Sequence, residues 1–195
     1  MYQVTLDTNC LLDLEKGGER ADAVGDLVAR HHAGSIALRI PAIAASERQR
    51  SGTELQNFSE FTDWLARLGL GPIPLILPML YFDVGFWDHC LWSDQEMQVL
   101  ERKIHDILHP EIEFEYQTYC KARGIDPIAK PLDGKWRNVK CDVQVMWSHI
   151  HHRGKTLVTN DENFLKATKL PRLLALGAGA IVRTIDAPAQ LDRVV

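Results

Sequence analysis

Cysteine is sparse. Cys10, Cys90, Cys120 and Cys141 are the only four in 195 residues, and no two form a C-x-x-C pair. That spacing gives neither a zinc knuckle nor a disulfide framework, and free thiols in a reducing cytosol are expected. A surplus of positive charge is also missing: 22 Lys and Arg stand against 26 Asp and Glu, for a net charge of -4. A chain-wide basic footprint for nucleic acid is therefore excluded, and any such contact needs a local patch. A site built of carboxylates itself lowers the net charge, so acidity does not exclude a nuclease. Long apolar runs are lacking. The longest, near Ile73 to Val84, is interrupted by Pro74, Pro78 and Asp83, too short and broken to cross a bilayer. The opening MYQVTLDTN has no basic stretch before an apolar core, unlike a signal peptide. No glycine-rich phosphate loop stands between a strand and a helix; Gly177-x-Gly179 precedes a strand instead. A cytoplasmic chain with no membrane partner is expected.

What is present is a globular composition, 46% hydrophobic and 25% charged. The length suits a single domain over residues 1–195. The central stretch is Lys140 to Phe164, KCDVQVMWSHIHHRGKTLVTNDENF. It reads as a helix with Asp142 at its start, a turn at 152–155, and a buried strand, Thr156-Leu157-Val158, that ends in Thr159-Asn160-Asp161. Upstream, residues 2–6 read as a strand stopped by Asp7-Thr8-Asn9. Leu11, Leu12 and Leu14 begin a helical turn, and Glu19 to His32 is an amphipathic helix. Ile36 to Ile40 is a second strand, and 42–50 reads as a helix carrying Glu47 in its first turns. Phe58 to Leu68 is amphipathic. Gly69 to Pro78 reads as a loop. Ser93 and Glu96 form a capping-box pattern that opens a helix to Leu108, and 111–123 reads as another. A helix near 163–168, a last strand at 180–185 and a polar tail complete the chain.

Strands alternating with helices predict an α/β fold in three layers, a mainly parallel sheet between helices, with a helical insertion at about 70–139. In such a sheet, strand ends and the starts of the following helices share one edge. Asp7, Glu47, Asp142 and Asp161 come from four separate segments, and the topology predicts that they converge there. Unpaired carboxylates packed together repel and lose solvation. A divalent cation relieves this, and all-oxygen ligation suits Mg²⁺ or Mn²⁺. Such ions activate water for in-line displacement at phosphorus. Thr8, Asn9, Thr159 and Asn160 are placed to orient the acids. The competing explanation is local: an Asp at a strand end caps the helix that follows.

Four motifs carry a family resemblance. VTLDTNCLLDL resembles the opening of PIN-domain proteins, IPAIAASERQR their second motif, KCDVQVMW the third, and LVTNDENF the fourth. The resemblance covers residues 1–50 and 140–185; the middle is longer than in compact members. It implies that Asp7, Glu47, Asp142 and Asp161 hold the metal, with Mg²⁺ or Mn²⁺ as cofactor. It also implies a metal-dependent endoribonuclease with RNA as substrate. Many bacterial members are VapC-type toxins, so an antitoxin protein and a homodimer are possible partners by the same resemblance. Two alternatives stay open: a non-catalytic PIN-like module that binds RNA or protein, and a nuclease acting on DNA.

Two smaller features complete the reading. Lys130, Lys135, Trp136, Arg137 and Lys140 form a basic, aromatic stretch leading to Asp142. Lys135, Trp136, Arg137 and Lys140 are candidates for RNA contact, the indole by stacking and the cations at phosphates. His149, His151 and His152 lie turns beyond Asp142, where helical rise carries them from the acid edge, so a core or exposed role is expected for them.

Overall fold

The computed structural model describes residues 1–47, 57–128 and 131–195. Its strands are β1 (Tyr2–Leu6), β2 (Ile36–Pro41), β3 (Leu75–Ile76), β4 (Thr156–Val158) and β5 (Ala180–Val182). They form one all-parallel sheet in the order β3-β2-β1-β4-β5. The helices are α1 (Thr8–Lys16), α2 (Glu19–His32), α3 (Phe58–Arg67), α4 (Gln95–Leu108), α5 (Tyr116–Arg123), α6 (Gly134–His151), α7 (Glu162–Leu165), α8 (Leu170–Ala175) and α9 (Ala187–Leu191). The expected three-layer α/β architecture is what the chain adopts.

Side chains alternate across a strand, and here that alternation builds two cores. Val4 and Leu6 of β1, Ile36, Leu38 and Ile40 of β2, and Val158 of β4 face α1, α2 and α3. Leu157 and Ile181 face the opposite core, formed with Ile104 and Leu108 of α4 and Val143, Met146 and Trp147 of α6. On that second face β1 and β2 are polar where they meet the end of α6. Thr5 meets His149 (Oγ1 to Nδ1, 2.8 Å), and Arg39 donates from Nη1 to the His152 carbonyl at 2.7 Å. α6 is buried around most of its circumference from Val139 to His149, so it reads as a core element, not an amphipathic surface helix.

Several boundaries differ from the sequence reading. The loop at 69–78 contains edge strand β3, pinned by Ile40 N–H donating to the Pro74 carbonyl at 3.1 Å. The α4 cap is Asp94, which accepts from Met97 N–H at 2.8 Å; Ser93 instead accepts from the Gln98 amide. Residues 111–115 lie outside α5. The helix expected at 163–168 is shorter, ending at Leu165 in α7, and a further helix, α8, begins beyond it at Leu170. The last strand stops at Val182, and the tail carries α9 with Ala187 and Leu191 buried. The middle segment, 70–139, is no appendage: through α4 it supplies much of the second core.

Candidate active site

The order β3-β2-β1-β4-β5 leaves β1 and β4 adjacent, with the chain winding outward from each. A doubly wound sheet has its crevice at such a switch point, beyond the carboxyl ends of the strands. Asp7 follows β1 and Asp161 follows β4 at that edge. The two strand ends are joined by Asp7 N–H donating to the Val158 carbonyl at 3.0 Å.

Asp7 is buried, and its carboxylate is fully engaged. Oδ1 accepts from Thr8 N–H at 2.7 Å, which caps α1. Oδ2 accepts from Asn9 Nδ2 at 2.5 Å and from Thr159 Oγ1 at 2.6 Å. Thr159 accepts in turn from Asn9 Nδ2 and Asp161 N–H, each at 3.0 Å. Asn160 ties the edge together: its N–H donates to Asn9 Oδ1 at 3.0 Å, and its Nδ2 to Asp13 Oδ2 at 2.6 Å and Thr184 Oγ1 at 2.7 Å. Asp161 caps α7 through Asn163 N–H at 2.8 Å. Asp7 and Asp161 thus each cap a helix, and both follow strands that end at the same sheet edge. One oxygen of Asp7 serves the helix and the other faces the neighbouring strand.

Glu47 and Asp142 reach the same place by routes the sequence did not indicate. Residues 42–46 form a 3₁₀ helix, and Glu47 follows in an extended conformation at φ -83°, ψ 153°. Glu47 thus lies beyond a helix end instead of within its first turns, and 48–50 lie outside the described residues. Asp142 does not begin a helix. α6 starts at Gly134, capped by Asp133, whose Oδ1 accepts from the N–H groups of Lys135 and Trp136 at 3.0 and 3.2 Å. Asp142 sits in the third turn, half-buried, and meets His109 Nε2 through Oδ2 at 3.0 Å.

The electrostatics show that the acids feel one another. Burial pushes Asp7 up to about 7, and the charges of Asp142 and Asp161 push the same way against the Thr159 and Thr8 hydrogen bonds. Burial raises Glu47 well above the usual carboxylate range, aided by Asp7, Asp142 and Asp161. Asp142 is raised by burial first, while His109 holds it down and Asp161 raises it further. Lys169 brings an ammonium near Asp142 and Asp161, anchored on the Leu108 carbonyl and Asn163 Oδ1.

A cleft of ≈ 340 Å³ opens between Glu47, Asn138, Cys141 and Asp142. A second, of ≈ 540 Å³, continues from Asp142 and Asn138 to Lys135, His109 and Glu111. Lys135, Asn138 and Asp142 stand at i, i+3 and i+7 on α6, which puts them on one helix face. Among the described residues no three His, Cys, Asp or Glu side chains close on a single point; Glu47 and Asp142 line the cleft, and Asp7 and Asp161 act on them through their charges. The donor chemistry nevertheless fits a hard divalent cation: the acids offer oxygen ligands, and Asp7, Glu47 and Asp142 are raised first by burial and further by neighbouring carboxylates.

The proposed RNA contacts divide. Lys135 is exposed on the cleft, and Arg137 is half-buried. Trp136 and Lys140 are not surface groups. Trp136 is buried and donates from Nε1 to the Glu113 carbonyl at 3.1 Å. Lys140 is 0% exposed, and its Nζ donates to Glu101 at 3.1 Å and Tyr81 Oη at 3.0 Å. The reason is helical phase: Lys140 and Asp142 are two positions apart, roughly 200° around the axis, so they face opposite sides. Lys130 lies outside the described residues. His149 is buried between Thr5 and the Ala178 carbonyl, and burial pushes it down to about 4. His151 stacks on Trp147, and His152 meets the Leu77 carbonyl. None of the three joins the acids.

The site also holds groups that the sequence did not single out: His109, Asn138, Asn163 and Lys169. The only local trace of His109 is its place between the last residue of α4 and Pro110. No family model matches the chain, and no curated protein or solved structure matches it.

Proposed function

We propose that this chain is a divalent-cation-dependent nuclease that hydrolyses RNA phosphodiester bonds. The observation that supports this best is that Asp7, Glu47, Asp142 and Asp161, from four separate segments, act on one another's charge near the switch point of a parallel sheet, where Glu47 and Asp142 line a cleft. Mg²⁺ or Mn²⁺, held by these carboxylates, would supply charge neutralisation and an activated water at phosphorus. The chain's own groups prepare that site. Thr159 and Asn9 fix the Asp7 carboxylate against rotation. His109 orients Asp142. Asn138 and Lys135 line the approach, where an amide and an ammonium meet phosphate oxygens. A toxin role with an antitoxin, and a homodimer, rest on the PIN-domain resemblance alone.

The test is cleavage of structured RNA, single-stranded RNA and single-stranded DNA, with Mg²⁺, Mn²⁺ or EDTA, by wild type and Asp142→Asn. RNA cut by wild type in metal alone supports the proposal. DNA cut in its place redirects it to a deoxyribonuclease. No cleavage of any substrate, with RNA still bound, replaces it with a binding module.

A further inference from the structure

Between Arg67 and Arg102 the chain has no Lys or Arg, yet Asp83, Asp88, Asp94, Glu96 and Glu101 all fall there. The same stretch carries three large exposed aromatic side chains: Phe82 is 67% exposed, Trp87 55% and Trp92 74%. They form one patch. Trp87 lies edge-on to Trp92 at 5.3 Å and 5.6 Å from Phe82, between ring centroids.

The loop beneath them is built, not frayed. Leu80 N–H donates to the Leu91 carbonyl and Leu91 N–H to the Pro78 carbonyl, each at 2.8 Å, which closes the loop at its base. Val84 is buried inside it, and Phe86 and His89 pack on Phe58. The loop has thus placed one set of apolar groups inward and left Phe82, Trp87 and Trp92 outward. Exposed apolar patches of this kind mark contact sites, and Trp is the residue most enriched among binding hot spots.

The charge decides the occupant. Asp88, Asp94 and Glu96 are exposed along the same stretch as the rings. The next Lys or Arg along the chain, Arg102, is ~9 Å beyond Glu96 on α4, where it pairs with Glu115 at 3.3 Å. Nucleic acid and anionic lipid would be repelled by this rim, and a second copy would set the same acids against each other. A guanidinium or ammonium meets both an aromatic face and a carboxylate here. We propose that the 82–96 loop is a docking surface for a cationic peptide segment of another protein, Arg or Lys interleaved with apolar residues. The surface is separate from the acid cleft and goes beyond the nuclease reading.

The experiment is selection of a random phage-displayed peptide library on wild type, with the winners measured on Trp87→Ala/Trp92→Ala and on Asp88→Asn. Circular dichroism checks that the variants keep the fold; all three positions are exposed. Expected are Arg- or Lys-rich winners whose affinity falls at least ~30-fold without the two indoles and more modestly in Asp88→Asn. Acidic or neutral winners would overturn the proposal, as would cationic winners that bind the double variant equally well. So would a monomer–dimer equilibrium, or binding to phosphatidylserine vesicles or single-stranded DNA, that disappears with the indoles.

Discussion

The Thr159 hydroxyl donates to Asp7 Oδ2 at 2.6 Å, which ties the end of β4 to the end of β1 across the switch point. That single bond joins the fold to the site. Thr159 is fully buried, so replacing it with Val keeps the shape and removes the donor. The variant also strips Asn9 Nδ2 and Asp161 N–H of an acceptor and should lose about 1–3 kcal/mol in urea unfolding, the usual cost of leaving a buried polar group unmet. Thr159→Ser should recover most of it.

The acid cluster gives the metal-free protein an unusual pH profile. Asp7 is raised from 3.8 to about 7 on folding, chiefly by burial. The native state therefore holds a proton that the unfolded chain has released across that window, and stability falls as pH rises through it. The penalty is absent below about pH 4 and complete above about pH 7. One pKa unit is about 1.4 kcal/mol, so this carboxylate alone costs on the order of 4 kcal/mol at pH 8. In EDTA, unfolding midpoints should rise from pH 8 to pH 5. Glu47→Gln should flatten the profile and raise the midpoint at pH 8.

His109→Ala removes the partner that holds Asp142 down. Groups that orient a ligating side chain typically account for 10–100-fold in metal affinity. Mn²⁺ affinity by calorimetry should fall within that range, while the fold, judged by circular dichroism, persists. Unchanged affinity would show that His109 is a bystander.

Lys140 is predicted to act on stability and not on substrate. With Glu101 it forms a buried pair at 3.1 Å, flanked by Phe114 and Tyr81. Lys140→Met strands the carboxylate and should cost about 3–5 kcal/mol, whereas the double change with Glu101→Leu should recover much of it. RNA affinity of the folded double variant should match wild type, and Lys135→Ala should weaken it.

The parts of this architecture visible in the sequence are those where local pattern and tertiary role agree. β1, β2 and β4 are apolar runs ended by Asp7, Pro41 and Thr159, and each end is also a sheet edge. β3 is two residues long among prolines 74 and 78, and a neighbouring strand, not its own composition, makes it a strand. The start of α6 was hidden because Lys135 and Arg137 read as loop, while its true cap, Asp133, is an isolated signal. Lys140 looked like a surface cation because its partner, Glu101, lies on another helix. His109 was invisible for the same reason, since it meets Asp142 through tertiary packing.

The central claim is that four separated carboxylates make one cation site. Calorimetric titration of Mn²⁺ into wild type and into Asp7→Asn, Glu47→Gln, Asp142→Asn and Asp161→Asn, at pH 7.5, tests it directly. Saturable binding to wild type, weakened in each of the four folded variants, is the predicted result. Absence of binding to wild type, or binding indifferent to all four substitutions, would contradict it.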